Sequence, residues 1–155
     1  MFIQLFNPMK IQSKQTGGLT TYALLSAITL IVVLHFVVRE QGSLIPLLII
    51  LPVMIIALLF FYQIVVEADD KEVRFSLGIG WLKRRYSLDR IESCKAVKNR
   101  WWYGWGIRFF PGGTLYNVTG LKAIELKFKG KKSVVRLGTN RPEELCLFIS
   151  KRLKP

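Results

Sequence analysis

The chain has 155 residues and carries 23 Lys and Arg against 10 Asp and Glu, which gives a formal net charge of +13. A protein this basic is drawn to anionic lipid headgroups, nucleic acid or an acidic protein partner. Its single histidine is His35, so residues 67–155 contain no histidine. Composition therefore excludes a Ser–His or Cys–His nucleophile pair from that part of the chain.

Two long apolar runs near the N-terminus, residues 19–38 and 44–62, contain no Asp, Glu, Lys or Arg. A helix rises about 1.5 Å per residue, so a run of roughly 20 residues can cross the hydrocarbon layer of a membrane, which is about 30 Å thick. Residues 39–43 are long enough only to reverse the chain direction. The first run is too long for a cleaved signal peptide. The pattern predicts a transmembrane helical hairpin that anchors the protein.

The charges that flank the hairpin predict its orientation. Residues 1–19 hold two lysines and no acid, whereas residues 39–43 hold one Arg and one Glu. Because basic segments tend to stay in the cytoplasm, we expect a multi-pass inner-membrane protein with both termini cytoplasmic. Cys94 and Cys146 are expected to be unpaired in that reducing compartment.

The chain is thus divided into three parts. A cytoplasmic N-terminal segment covers residues 1–18, the hairpin covers 19–64, and a cytoplasmic domain covers 67–155. The last part carries 20 of the 23 basic residues and 9 of the 10 acidic ones. The surface that the protein presents to a partner is therefore expected to be strongly basic.

After residue 67 the apolar residues alternate with polar ones, as in half-buried strands. Val73, Phe75 and Leu77 alternate with charged and polar neighbours. Further strands are predicted at 81–88, 91–97, 107–110, 114–118, 124–128 and 133–137. Arg84 breaks the inward alternation of its strand, which indicates an edge or open position.

The C-terminal segment is predicted to be an amphipathic helix. Asn140 is a suitable N-cap with Glu143 three residues later, and Pro142 fits the first turn. The apolar stripe consists of Leu145, Phe148, Ile149 and Leu153. The predicted fold class is an α+β membrane protein, in which a two-helix transmembrane hairpin precedes about seven antiparallel strands and this helix.

This order of elements resembles the bacterial membrane-associated pleckstrin-homology-like family. The most specific part of the resemblance is residues 103–108, which read Tyr-Gly-Trp-Gly-Ile-Arg. The other residues that carry it are Gly113, 115–118, Gly120, 123–126, 138–139 and 142–143. The resemblance implies a pleckstrin-homology-like antiparallel barrel that faces the cytoplasm. Members of the family are mostly uncharacterised, so it implies no catalytic or ligand residues.

No motif for catalysis or for a cofactor is found. The cysteines and the histidine have no metal-ligand spacing, and the glycines lack the lysine and the helix of a phosphate-binding loop. We expect a protein that is not an enzyme and holds no cofactor. The sequence also lacks the signatures of nucleic-acid-binding folds, so nucleic acid is not an expected partner.

The segment 98–108 combines aromatic rings with cations and is the predicted binding site. Its candidate binding residues are Arg100, Trp101, Trp102, Tyr103 and Arg108. Such rings favour the headgroup zone of a membrane while Arg attracts anionic lipid, but the same residues also dominate protein interfaces. Trp105 is expected to fill the end of the barrel, and Trp101 and Trp102 are expected to be exposed.

A second basic group, Lys83, Arg84 and Arg85, could extend this positive surface. The predicted function is a non-enzymatic, membrane-anchored binding or scaffold protein whose basic domain contacts anionic membrane lipid or a protein partner. The alternative is a structural accessory subunit of a larger membrane complex that assembles through the hairpin helices. Self-association into a homo-oligomer is left open.

Overall fold

The computed structural model describes residues 10–37 and 44–153. These residues form an α+β fold with three α-helices and nine strands in two sheets. The helices are α1 (Gly18–Val37), α2 (Ile45–Phe61) and α3 (Pro142–Ser150). The strands are β1 (Lys10–Thr16), β2 (Gln63–Asp69), β3 (Glu72–Leu77), β4 (Leu82–Ser87), β5 (Ile91–Lys98), β6 (Gly106–Phe110), β7 (Gly113–Asn117), β8 (Lys122–Phe128) and β9 (Val134–Gly138).

The strands divide into a four-stranded sheet A and a five-stranded sheet B. Sheet A has the order β1-β2-β3-β4, and sheet B has the order β5-β8-β9-β7-β6. All pairings are antiparallel except that of β7 with β9. The core lies where the inward faces of the sheets and α3 meet, and rings such as Phe75 of β3 and Tyr116 of β7 approach to 4.6 Å between centroids.

Alternation explains most of this core. In β3 the residues Val73, Phe75 and Leu77 are buried as predicted, while their neighbours are partly exposed. The predicted strands at 81–88, 91–97, 107–110, 114–118, 124–128 and 133–137 correspond to β4 to β9. The expectation that Arg84 marks an edge is confirmed, because β4 lies at the end of sheet A. The expectation of about seven strands is wrong, since β1 and β2 bring the number to nine in the part described.

Strand β1 was not predicted because its buried face is polar. Ser13 and Gln15 are almost fully buried. The hydroxyls of Ser13 and Thr139 lie 2.6 Å apart, and the Gln15 amide donates to the Thr119 carbonyl at 2.7 Å. These bonds satisfy the Ser13 hydroxyl and the Gln15 NH₂ group, which would otherwise be costly to bury. Residues 10–16 are therefore the first strand of sheet A.

The helices α1 and α2 leave sheet A through very short connections. Gly17 alone separates β1 from α1, and Tyr62 alone separates α2 from β2. The Gly17 N–H donates to the Tyr62 carbonyl at 2.6 Å, which closes the junction. Both helices therefore leave the same end of the sheet as neighbours.

The predicted transmembrane hairpin at 19–38 and 44–62 is wrong. The apolar runs do form α1 and α2, but within residues 10–37 and 44–153 no helix combines the length and apolarity that crossing a bilayer requires. Helix α2 covers 17 residues before the chain enters β2. At about 1.5 Å per residue it spans roughly 25 Å, less than the hydrocarbon layer of about 30 Å. Residues 39–43, the expected bridge, lie outside the described residues.

Two further predictions depended on that hairpin and are wrong for the same reason. The first is the fold class of an α+β membrane protein with a transmembrane hairpin. The described residues do form an α+β fold, with two sheets and three helices, but none of these helices meets the requirement for a membrane span. The second is the placement as a multi-pass inner-membrane protein with both termini cytoplasmic, since no described helix meets the requirement for a membrane span.

Helix α3 packs on sheet B near β5 and β8, and a disulfide fixes it there. Its predicted stripe is buried at Leu145, Phe148 and Ile149. The N-cap is Arg141 and not Asn140, and the Arg141 N–H donates to the Thr139 hydroxyl oxygen at 3.2 Å. The expectation of unpaired cysteines is also wrong, because Cys94 of β5 is bonded to Cys146 of α3 with their Cα atoms 5.3 Å apart.

The turn between β3 and β4 packs against the last turn of α2. The Ile79 N–H donates to the Leu59 carbonyl at 3.2 Å. Gly78 has φ +59°, and a Cβ placed there would lie 2.2 Å from the Leu59 carbonyl oxygen and 2.5 Å from that of Phe60. This close approach requires glycine.

We expect reduction of the Cys94–Cys146 disulfide to lower the free energy of unfolding by about 4 kcal/mol, because the bond closes a loop with a sequence separation of 52. Urea unfolding with and without a thiol reductant measures the loss. The Cys94→Ser/Cys146→Ser variant is the control, and its unfolding should not respond to the reductant. Equal stability of the reduced and oxidised protein would contradict the expectation.

Gly78→Ala should destabilise the protein by about 2 to 4 kcal/mol, since left-handed strain adds to the clash with α2. Gly130→Ala is the matched control. Gly130 has φ +71° but no atom within 4 Å of the added Cβ, so only the strain of about 1 kcal/mol is expected. Urea unfolding followed by circular dichroism compares the two, and equal losses would mean that the contact with α2 is unimportant.

Candidate functional site

All four tryptophans of the chain are exposed. The exposed fractions are 68% for Trp81, 76% for Trp101, 57% for Trp102 and 40% for Trp105. Trp is the largest apolar side chain and is normally mostly buried. Four exposed indoles in a domain of this size therefore mark a surface that meets something other than water.

Trp81 is held at the end of α2 by the β3–β4 turn. Its ring lies 5.1 Å from the ring of Phe60, centroid to centroid. Ile79 of the same turn is half exposed. The backbone bond from Ile79 to Leu59 fixes this turn beside the helix, so Trp81 faces solvent next to the junction of helices and sheet.

The loop before β6 carries the other three tryptophans. Trp101, Trp102 and Tyr103 form a single 3₁₀ turn, and their successive rings meet edge to face at 5.8 and 6.5 Å. Tyr103 then stacks on Phe110 at 5.7 Å, which ties the turn to the sheet. The loop is thereby ordered while the indoles stay outside.

The same loop reaches α2. A Cβ placed on Gly106 would lie 3.5 Å from the ring of Phe61, so the chain around Trp105 runs beside the last turn of the helix. Phe61 follows Phe60, the neighbour of Trp81. Trp81 and the loop that carries the other tryptophans thus meet the same end of α2 from two distant parts of the sequence.

Cations accompany these rings. The Arg100 guanidinium lies over the Trp102 ring at 5.0 Å, and Arg108 donates from Nε to the Trp105 carbonyl at 3.2 Å. Neither arginine is ion-paired to a described carboxylate. Residues 93–124 contain five Lys and Arg and no Asp or Glu, so the charge here is not neutralised along the chain.

We call this surface the collar. It consists of Ile79, Trp81, Arg100, Trp101, Trp102, Trp105 and Arg108. The collar contains four of the predicted binding residues, and the fifth of the loop group, Tyr103, supports them from behind through its stack on Phe110. The collar combines exposed aromatic rings with guanidinium groups.

The second predicted group, Lys83, Arg84 and Arg85, lies on β4 and is separate from the loop group. Lys83 and Arg85 pair in register with Ser76 and Arg74, on the outer face of sheet A. Arg84 is opposite Phe75 on the inward side, and it is exposed because β4 is an edge strand. These three residues therefore form a surface of their own.

Sequence reasoning missed part of the collar. Trp81 was read only as the first residue of a strand, although it follows the turn glycines 78 and 80, which indicated that a turn could expose it. The expectation that Trp105 fills the end of the domain is wrong, since its side chain is 40% exposed. The expectation that Trp101 and Trp102 are exposed is confirmed.

No family model, curated protein or solved structure matches this chain. The described helices also include none that could form the N-terminal transmembrane hairpin. The predicted resemblance to the bacterial membrane-associated pleckstrin-homology-like family is therefore wrong.

Proposed function

We propose that this protein is a non-enzymatic binding protein whose collar contacts an anionic lipid surface. The observation that supports the proposal is the exposure of every tryptophan of the chain. Trp81 and the loop of the other three both reach the end of α2, through Phe60 and Phe61, and Arg100 and Arg108 lie in that loop.

The physical argument rests on two kinds of group that favour the same place. Indole rings are enriched at the boundary between water and hydrocarbon, because they are apolar with one polar edge. Cations near an anionic lipid surface gain about 1 kcal/mol each. In the collar Arg100 lies over the Trp102 ring, and Arg108 is held beside the loop by its bond to the Trp105 backbone carbonyl. Rings and guanidinium groups can therefore meet glycerol and phosphate together.

Removing the cations should weaken lipid binding. Arg100→Ala/Arg108→Ala in the full chain should lower the affinity for vesicles of phosphatidylcholine and phosphatidylglycerol by about 2 kcal/mol, roughly 30-fold. Trp101→Ala/Trp102→Ala should weaken binding without changing its salt dependence, because no charge is lost. Vesicle flotation over a salt series measures both effects.

The control is Lys129→Ala/Lys131→Ala, which removes the same charge from the exposed β8–β9 turn. Strand β8 begins at Lys122 on the side of the collar, and the β8–β9 turn follows its other end. The length of the strand, about 20 Å, exceeds the electrostatic screening length of about 8 Å. Its effect should be small. If Arg100→Ala/Arg108→Ala binds phosphatidylglycerol vesicles with the same affinity as the wild type, the proposal is refuted.

A second candidate, an accessory subunit that assembles through α1 and α2, is favoured by the apolar surface of these helices. Their exposed fractions include 70% for Leu48, 61% for Ile49, 61% for Val53 and 54% for Ile56. The two helices contact each other but leave these side chains uncovered. Exposed apolar surface of this extent is typical of an interface.

The two candidates make opposite predictions for one pair of variants. If assembly through the helices is the function, Leu48→Glu/Ile56→Glu should release the protein from a co-purifying complex, while the collar variants Trp101→Ala/Trp102→Ala should remain in it. Native size analysis of the purified material separates the outcomes. If the complex is lost in Trp101→Ala/Trp102→Ala but kept in Leu48→Glu/Ile56→Glu, the accessory role is rejected.

A further inference from the structure

Strand β4 is an open edge of sheet A. It has one neighbour, β3, in the order β1-β2-β3-β4. No backbone hydrogen bond links the other side of β4 to another strand among the described residues. An edge of this kind presents free N–H and C=O groups that a further strand can use.

The edge is strongly cationic. Lys83, Arg84 and Arg85 are consecutive and exposed, and their side chains alternate between the two faces of the sheet. None of the three is ion-paired in the part of the chain that is described. Residues 73–88 contain no Asp or Glu, and the acid that begins the hairpin, Glu72, is ion-paired with Arg74.

Two cavities follow β4. One of about 170 Å³ is lined by Val65, Ser76 and the three cations, together with Glu67, Arg74 and Phe75. The other, of about 820 Å³, continues past Arg85, Tyr86 and Ser87 toward the β8–β9 turn. Its walls include Arg90, Lys129 and Lys131, with Glu72 and Asp89 as the acids. The first cavity lies on the outer face of β2, β3 and β4, and the second lies at the end of β4. The surroundings of β4 are therefore open and mainly cationic.

The second cavity has an aromatic floor. The rings of Tyr86 and Phe128 lie 5.1 Å apart, and both line the cavity. The Tyr86 hydroxyl can donate a hydrogen bond at neutral pH, and burial raises its pKa to about 12, further above that pH. An apolar side chain with a nearby acceptor would fit this end of the edge.

Charges on an edge strand commonly prevent edge-to-edge pairing between copies of a protein. The pairing is prevented because the like charges of two copies repel each other. A strand with acidic side chains is attracted to the cations of β4 instead. We infer that β4 binds an extended acidic segment of a partner polypeptide, which adds to sheet A as a fifth strand. Backbone bonds supply the pairing, and carboxylates on both faces of the added strand meet the three cations of β4.

The probe is a fluorescein-labelled peptide of roughly eight residues, about one strand, in which Glu-Glu pairs alternate with Val-Thr pairs, so that carboxylates lie on both faces of the strand. Its matched control carries N-methyl groups at alternate backbone positions, which removes donors without changing charge. Anisotropy titration of the full chain should show the plain peptide binding at least about tenfold more tightly than the methylated one, because strand addition depends on backbone bonds.

The protein variants test the charges. Arg84→Ala/Arg85→Ala should weaken peptide binding about tenfold, as two cross-strand ion pairs are lost. Lys95→Ala/Lys98→Ala, which removes the same charge from the edge strand β5 of sheet B, should change it less than about twofold. Circular dichroism checks that both variants are folded. Hydrogen exchange should show protection of β4 amides by the plain peptide only.

Three results would overturn the inference. Equal affinities for the plain and methylated peptides would mean that binding depends on charge and not on backbone hydrogen bonds. Peptide binding unaffected by Arg84→Ala/Arg85→Ala would place the site elsewhere. Displacement of the peptide by a single-stranded oligonucleotide that binds more tightly through the same arginines would assign the edge to nucleic acid. None of these results bears on lipid binding by the collar, which uses Arg100 and Arg108.

Discussion

The structure depends on the junction at which β1 and β2 pass into α1 and α2. Each connection is a single residue, and the hydrogen bond from the Gly17 N–H to the Tyr62 carbonyl joins them at 2.6 Å. A Cβ on Gly17 would lie 2.9 Å from the Phe61 carbonyl oxygen, so a larger residue has no room. Because the helix end is fixed relative to sheet A, the β3–β4 turn and the loop before β6 can pack on it, and their tryptophans are brought together.

The two proposed surfaces follow from an uneven distribution of charge. The acids of sheet A are already engaged: Glu67 with Lys10 at 3.0 Å, and Asp69 with Arg74 at 2.9 Å. The stretches that build the collar and the β4 edge contain no acid at all. Since opposite charges are paired on one part of the domain, the positive charge that remains is concentrated where the proposed partners would bind. A lipid surface at the collar would leave the distal cavity beside β4 accessible.

Much of the sheet could be predicted from the sequence, because its buried faces are apolar. The period of two is clear in β3, at Val73, Phe75 and Leu77, which are all buried. It is also clear in β8, at Ile124, Leu126 and Phe128, although their neighbour Ala123 is buried as well. Strand β1 could not be recognised in this way, since it buries Ser13 and Gln15 and its stabilising bonds go to residues more than 100 positions away. Strand β2 was obscured because its apolar residues follow directly on the run that forms α2.

The site was harder to predict than the fold. A cluster of Trp and Arg in residues 100–108 was evident, but whether an indole is buried depends on which element lies above it, and this is a tertiary property. Trp105 and Trp81 were misjudged or missed for that reason. The pairing of Cys94 with Cys146 likewise depends on how α3 is placed on β5. Counting apolar residues, which predicted a membrane span, measures the length of a run; in the second run the helix that forms, α2, covers 17 residues before the chain enters β2.

The covalent link between β5 and α3 has a consequence for how the molecule tolerates damage. Everything from the exposed loop of the collar to the start of the last helix lies inside the ring closed by Cys94 and Cys146. A protease that cuts after Lys98 or Arg100 would leave two fragments still joined through sulfur. Under oxidising conditions such a cut opens the ring without releasing either fragment. The loop that carries Trp101, Trp102 and Trp105 can therefore be cleaved while the protein still migrates as one chain in a non-reducing gel.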